Sequence, residues 1–437
     1  MTRNLPLFLT FCRIPGTLGS ALAVLILALA GPLAAEGPWP GWLGPQRDGH
    51  SADVGLAKSW PTAGPKLLWK VDCLGPGWSS VAVVGQRVYI TGNVDEQTML
   101  FCFDSRGKEL WRAAQGPQCS HKGYPGTRAT PVVDGNRIYL VGGNGRITCQ
   151  DTADGHILWQ RDMKDFGGRP GGWLWSESVL ILGDRAIVTP GGKHPVVALD
   201  KATGKEIWQS DFQAVAVIVD KETGKETRKD VPVTAGYSSC IAIEDQGSTI
   251  IVNGSQSGLL AVDAKTGAKI WTDAFASPNT ANVPTPAYAD GYLFWSVGYG
   301  KGSACYKVTH SGDRWTFKPA WTSKDMGCHP GNYVVANGRV YGKGRGLACL
   351  DLKTGATLWT EGSVPAGQVC WADGMLYTFS DSGGRACLVE PSASRAKVAG
   401  KMQVAGTGSS WAHPVVAGGR LYLRYETNLY CFDAKEN

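Results

Sequence analysis

The sequence predicts an all-β protein: an eight-bladed β-propeller of four-stranded antiparallel blades, with the ring closed by an N-terminal strand. Three observations predict it. One phrase recurs along the chain. A second hairpin pattern precedes most of its copies. The last copy is cut short, while an orphan half-copy stands near the N-terminus.

The phrase is clearest in ALDKATGKEIW, Ala198 to Trp208. It returns as AVDAKTGAKIW (Ala261 to Trp271), CLDLKTGATLW (Cys349 to Trp359) and CQDTADGHILW (Cys149 to Trp159). CFDSRGKELW, Cys102 to Trp111, is one residue shorter. Each copy runs strand-like into an Asp, crosses turn residues that include a Gly able to take positive φ, and leaves on an apolar run ending in Trp. Each copy is therefore a β-hairpin. Trp159, Trp208, Trp271 and Trp359 all stand eight residues after their Asp.

In chain order, residues 1–35 read as a targeting segment. Arg3 and Arg13 precede the apolar run Ala21 to Ala30, and small residues follow, with cleavage expected after Ala30 or Ala35. The run is short for a membrane span. The expectation is a signal peptide, or an anchor if uncleaved, and no span once it is removed. Residues 36–437 read as a single propeller. GPKLLWKVD, Gly64 to Asp72, is the orphan strand, with Trp69 at the phrase-ending position.

Two further strands precede most copies of the phrase. VAVVGQRVYIT (Val81 to Thr91) turns at Val84-Gly85-Gln86. PVVDGNRIYLV (Pro131 to Val141), SVLILGDRAIVT (Ser178 to Thr189) and PVVAGGRLYLR (Pro414 to Arg424) repeat the design. Four short strands at a period of roughly 40–50 residues are the mark of propeller blades. First strands are expected near Ser80, Thr130, Ser178, Ser239, Thr285, Asn332, Gln368 and His413. The eighth unit has three strands, so the strand around Trp69 is expected to complete it and remove the open edges. The seventh is degenerate: Val389 replaces the Asp and no Trp follows. Residues 212–235 read as an inserted hairpin with a charged tip at Lys221 to Lys225.

The AxDxxTGxxxW pattern resembles the tryptophan-docking motif of the pyrroloquinoline-quinone-like (quinoprotein-like) propeller repeat family. That family includes quinoprotein alcohol dehydrogenases and a lipoprotein scaffold of outer-membrane protein assembly. The resemblance covers roughly Trp39 to the C-terminus. It implies that Trp69, Trp111, Trp159, Trp208, Trp271 and Trp359 pack between neighbouring blades. WPGWLGPQRDG (Trp39 to Gly49), WSESVLILGDRAIVTPGG (Trp175 to Gly192) and WAHPVVAGGRLYLR (Trp411 to Arg424) are similar to a narrower secreted bacterial group of such repeats.

Composition agrees with this architecture. The 437 residues include 58 Gly and 17 Trp, which suits many tight turns and an aromatic layer between blades. The net charge of +6 falls by two without Arg3 and Arg13, too little to argue for nucleic acid. Twelve cysteines in an exported chain would ordinarily suggest disulfides. Yet Cys102, Cys149, Cys349 and Cys431 occupy the slot that Ala198 and Ala261 fill, and Cys305 and Cys387 are placed there too. These six are expected to be buried free thiols in separate blades. Cys73, Cys119, Cys240, Cys328 and Cys370 leave room for one or two pairs.

The segments leading into the first strands surround one mouth of the channel. They supply Trp78, Arg128, Trp175, Glu177, Tyr237, Asn282, Cys328, His329, Asn332, Trp411 and His413. Of these, Trp175, Glu177, Asn282, Arg128 and Trp411 are the candidate cofactor-binding residues, and Glu177 and Asn282 the candidate metal ligands. A quinone dehydrogenase needs oxygen ligands for Ca²⁺ and a carboxylate base. The sixth mouth segment, Gly327 to Asn332, has no carboxylate, and the chain has neither a Cys-Cys pair nor CxxCH. His121, His329 and His413 are the only grouping of imidazoles to weigh for a metal. There is no G-x-S-x-G elbow.

The reading is an exported, periplasmic or secreted propeller. It acts as a non-catalytic binding or scaffold protein, without a cofactor, through the channel mouth or one face, on a protein, glycan or small-molecule ligand. The alternative is a pyrroloquinoline quinone (PQQ)-dependent alcohol or polyol dehydrogenase with the quinone organised by Ca²⁺.

Overall fold

The repeat phrase explains itself in the computed structural model, which describes residues 37–219, 223–277 and 281–435. In ALDKATGKEIW, Asp200 Oδ1 accepts from the Thr203 amide at 2.8 Å and from its hydroxyl at 2.6 Å. Asp263 holds Thr266 and Asp351 holds Thr354 in the same way. These bonds pull the Asp200 and Asp263 turns tight and bring each following Gly to positive φ, 70° at Gly204 and 74° at Gly267. Those glycines are needed twice over. The indole of the preceding blade lies against them, and a Cβ at Gly267 would stand 2.4 Å from the Trp208 ring.

The small residue that opens the phrase faces the Trp that ends it. Ala198 pairs with Trp208, Ala261 with Trp271, Cys149 with Trp159, Cys349 with Trp359 and Cys431 with Trp69. Each indole then reaches the next blade. Trp69 Nε1 donates to Ser105 O, Trp159 to Lys201 O, Trp208 to Ala264 O and Trp359 to Ser392 O. Trp111 lies against Gly155, and Trp271 stacks on Phe317 with centroids 4.3 Å apart. Trp321, which the phrase search passes over, does the same from the fifth blade: it pairs with Cys305 and donates to Leu352 O.

Eight radial four-stranded antiparallel sheets result, as expected. Blade 1 is Ala82–Val84, Arg87–Val94, Gln97–Asp104 and Glu109–Pro117. The inner strands of blades 2 to 8 are Val132–Asp134, Leu180–Leu182, Ile241–Asp245, Ala287–Ala289, Val334–Ala336, Gly367–Ala372 and Val415–Ala417. Leu67–Val71 pairs antiparallel with Asn428–Asp433 and completes blade 8. The inserted residues form a two-stranded hairpin, Ala214–Val219 with Glu226–Val231. Its tip at 220–222 and residues 1–35, the expected targeting segment, lie outside the described residues. One short 3₁₀ turn, Met163–Phe166, interrupts the described strands.

The apolar core is distributed between blades rather than gathered at one centre. Ile187, Ala198 and Trp208 of blade 3, for example, pack with Ile251, Leu260 and Val262 of blade 4. The inner collar is laced by hydroxyls. The Ser80 amide donates to Thr130 Oγ1, Thr130 to Ser178 Oγ, Ser178 to Ser239 Oγ, and His413 to Ser80 Oγ, at 2.9–3.0 Å. All eleven described cysteines are free thiols, and all but Cys73 are buried.

Two features come from the residues before the closing strand. Trp60 stands beside Tyr377 of the degenerate blade 7 at 6.1 Å, close to the 5.8–6.1 Å separating Trp69, Trp111, Trp159 and Trp359 from the tyrosines of their own blades. It thereby replaces the tryptophan that blade 7 lacks. Further upstream, Trp39 to Ser51 runs inside the ring. Trp39 exchanges backbone bonds with Val83 of blade 1, and Pro40 O accepts from Val133 of blade 2. His50–Ser51 pairs in parallel with the inner strand of blade 7, and His50 Nε2 bonds Val335 O of blade 6. Asp53 Oδ2 accepts from Gly419 of blade 8. The channel is stoppered by the chain's own segment.

Candidate functional site

The stopper turns the channel mouth into a cup. Its lining consists of Trp42 from the stopper and, from the loops around the mouth, Trp78, Tyr124, Arg128, Trp173, Ser176, Tyr237, Ser239, Ala281, Val283, Tyr299, His329, Pro330, Trp411 and His413. The cup is an open concavity lined mainly by aromatic rings with a few polar groups, the composition of small-molecule sites. Trp42 forms its floor. Its Nε1 donates to Thr285 Oγ1 at 2.9 Å, and its ring meets that of His413 edge-on at 4.7 Å. Trp78, Tyr124 and Trp411 make one aromatic wall, with centroids 5.1–6.0 Å apart. Tyr237 accepts the Trp173 amide at 3.0 Å and supports the facing wall. Tyr299 and Tyr124 stand exposed at the rim, and the Tyr299 hydroxyl meets His329 Nε2 at 3.1 Å.

The charge in the cup belongs to Arg128. Its guanidinium donates to Trp173 O and Tyr124 O, both at 2.5 Å, and to Cys119 Sγ at 3.1 Å. Two of these acceptors are backbone carbonyls and the third is a cysteine sulfur, and no carboxylate is among the lining residues. Burial lowers its pKa from the ordinary guanidinium value, yet it stays cationic at neutral pH. The two imidazoles are neutral there. Burial, and then the charge of Lys343, holds His329 down at about 4, and burial holds His413 at about 3. Beside the cup, Lys343 Nζ bonds Asp381 Oδ2 at 2.5 Å and His329 O at 2.7 Å, and Gln368 bonds Asp381 Oδ1. That pair is self-neutralising. A rim carboxylate, Glu426, is held by Trp78 Nε1 and the Ser409 amide, and it faces the charge of buried Arg424.

The expected mouth residues divide. Arg128 and Trp411 line the cup, with Trp78, Tyr237, His329 and His413. Trp175 packs into the core between blades 2 and 3. Trp173, not Trp175, lines the cup, and Leu174 between them, outside any strand, has φ 64°. Glu177 turns into blade 3, where Oε1 accepts the Thr189 amide at 2.6 Å and Oε2 the Thr189 hydroxyl at 2.5 Å. Burial pushes its carboxyl up to about 7, against those bonds and the nearby charge of Arg47. Asn282 is fully buried, with Oδ1 taken by the Ser277 amide and Nδ2 by Gln256 Oε1. His121 sits at the rim against Tyr124, away from a metal grouping. Trp42, Tyr124, Trp173 and Tyr299 escaped the sequence reading, since each comes from a loop whose course only the closed ring sets.

A Ca²⁺-held quinone does not fit this residue set. The oxygens of Glu177 and Asn282 are committed to backbone and hydroxyl donors behind the cup wall, and the lining offers no carboxylate to a cation. Among the described residues, no group of three or more His, Cys, Asp or Glu side chains is placed to hold a metal.

Fold and site define a quinoprotein-type propeller with a stoppered channel and an aromatic mouth. The family model described as outer membrane protein assembly factor BamB matches residues 61–220 and 102–361, and the chain belongs to that family. Outer membrane protein assembly factor BamB of Kangiella koreensis is 26% identical over 162 residues, which are 36% of this chain and 38% of that protein; the match thus spans well under half of its length. Among solved structures, BamB from Moraxella catarrhalis superposes with a TM-score of 0.59 at 14% identity, covering 86% of this chain and 99% of that one. Quinohemoprotein alcohol dehydrogenase from Comamonas testosteroni gives 0.54 at 13% identity, covering 92% and 82%. At such identities these likenesses carry the fold alone.

Proposed function

We propose that this chain is an exported, non-catalytic binding propeller whose ligand enters the aromatic cup, and that the ligand has a planar apolar body and one anionic group. The observation that carries this is the composition of the cup: ring faces on several sides and one guanidinium, Arg128, bonded to two carbonyls and a cysteine sulfur and to no carboxylate. A half-buried cation without a carboxylate partner is costly, and a carboxylate on the ligand would offset that cost. Periplasmic or extracellular placement is part of the proposal. It is supported by the apolar run at Ala21 to Ala30 and by membership of a family described as assembly factors. A role as scaffold for a protein partner on the same face fits that description as well.

The test is calorimetric titration of the purified protein with 2-naphthoate and with 2-naphthylmethanol, which differ in charge at one position. The carboxylate is expected to bind about tenfold more tightly, or about 1.4 kcal/mol, and Arg128→Gln to erase the difference. Equal binding of both would remove Arg128 from the site. Ca²⁺-dependent binding of pyrroloquinoline quinone would instead favour the dehydrogenase reading.

A further inference from the structure

The floor of the cup is not part of the ring of blades. Trp42 belongs to a loop, Gly41 to Gly49, that is tied to itself by bonds from Gly44 N to Gly41 O and from Gly49 N to Leu43 O. Two of its non-glycine residues, Leu43 and Arg47, sit in left-handed backbone at φ 58° and 57°. Such conformations persist only where the surroundings hold them. Two side chains do the holding. Trp42 reaches Thr285 of blade 5, and Arg47 reaches into blade 3, where it donates to Ser178 O at 2.8 Å and Val179 O at 2.9 Å. Arg47 is buried with its Nε unpartnered. Glu177 supplies the opposing charge nearby but makes no hydrogen bond to it, because both of its oxygens are on Thr189.

We propose that Trp42 is the specificity-determining floor of the cup and that Arg47 is the positioning residue that sets its height. The loop is a short brace with one arm on blade 3 and one on blade 5. Cutting the Arg47 arm removes the support nearer the left-handed residue at 47 and lets the loop relax away from the mouth. Cutting Trp42 leaves the Arg47 arm in place but opens the cup downward toward the stopper. The first effect loosens the site, and the second deepens it. The identity of the ligand rests on the reading above; the role of Arg47 in holding the loop does not.

Two readouts on the full chain separate these roles. The first is titration with 2-naphthoate and with the longer 2-anthracenecarboxylate. The intact protein is expected to prefer the two-ring acid, and Trp42→Ala to reverse the preference by about tenfold, the order that one misfitted ring commands in a rigid pocket; Trp42→Phe should keep the original order. An unchanged preference in Trp42→Ala overturns the floor, as does an intact protein that binds neither acid, which also ends the ligand reading. The second readout is hydrogen exchange of the amides of Trp39 to Ser51. Arg47→Met is expected to speed it about tenfold or more and to weaken both acids together, while Arg47→Lys restores both properties. Exchange at the original rate in Arg47→Met overturns the positioning role whatever the ligand is. If Arg47→Met does not fold, failure of Arg47→Lys to return both affinity and slow exchange overturns it instead.

Discussion

Trp208 shows what one side chain does in this chain. Its indole is 8% exposed, its Nε1 bonds Ala264 O of the next blade, and its ring covers Gly267. Trp208→Ala removes that contact on both blades and leaves a cavity that rigid sheets cannot close. We expect a loss of about 3–5 kcal/mol in chemical denaturation; a loss under about 1 kcal/mol would refute the docking role. Glu177 makes a different case at the same scale. Its carboxyl is raised from 4.5 to about 7 in the folded chain, first by burial. A raised folded pKa means the folded state holds a proton the unfolded state has lost. The stability this group contributes is complete below pH 4.5 and declines as pH rises to about 7. Glu177→Gln keeps the neutral form at every pH. Relative to the natural protein it should gain stability on the order of 3 kcal/mol between about pH 4 and about pH 8. His329 and His413 titrate identically in both proteins, so the difference isolates Glu177. A pH-independent difference would show that folding leaves the Glu177 pKa unshifted.

At the scale of elements, the closing strand is the most exposed joint in the ring. Leu67–Val71 is the one outer strand that comes from the opposite end of the chain, and it covers the edge of Asn428–Asp433. Deleting Lys66 to Asp72 bares that edge, with Tyr430 and Phe432 beside it, for pairing with another chain. Size-exclusion chromatography is expected to show aggregates, and a monomeric, cooperatively folding deletion protein would sink the closure argument. The stretch before it does a second job that the sequence reading assigned only to family likeness. Trp60 fills the gap in blade 7, and Trp39 to Ser51 fills the bore.

At the scale of the whole molecule, the ring converts local hairpins into a site that none of them contains. Each blade offers one or two side chains to the mouth, and the stopper supplies the floor, so the cup exists only when the circle is closed and the N-terminal segment lies inside it. The binding and scaffold readings both depend on this. A small ligand uses the depth of the cup, and a protein partner would meet the exposed rim at Tyr124 and Tyr299.

The architecture was legible in the sequence because its causes are local and repeated. Asp200 with Thr203, Gly267 under Trp208 and Ala198 facing Trp208 are each fixed within one phrase or by the next copy of it, and their count sets the number of blades. The ends of the chain told where the circle closes. Arg128 and Trp411 could be read as mouth residues from their distance to a first strand. Trp42, Tyr124, Trp173 and Tyr299 could not, since no repeat governs them. Of two tryptophans flanking the left-handed Leu174, Trp173 reaches the cup and Trp175 the core. The direction of Glu177 was likewise decided by Thr189 and by Arg47, 130 residues earlier in the chain. Repeated short-range interactions determine the blades. The contents of the channel depend on long-range contacts that exist only after the blades have met, so only the tertiary structure could decide them.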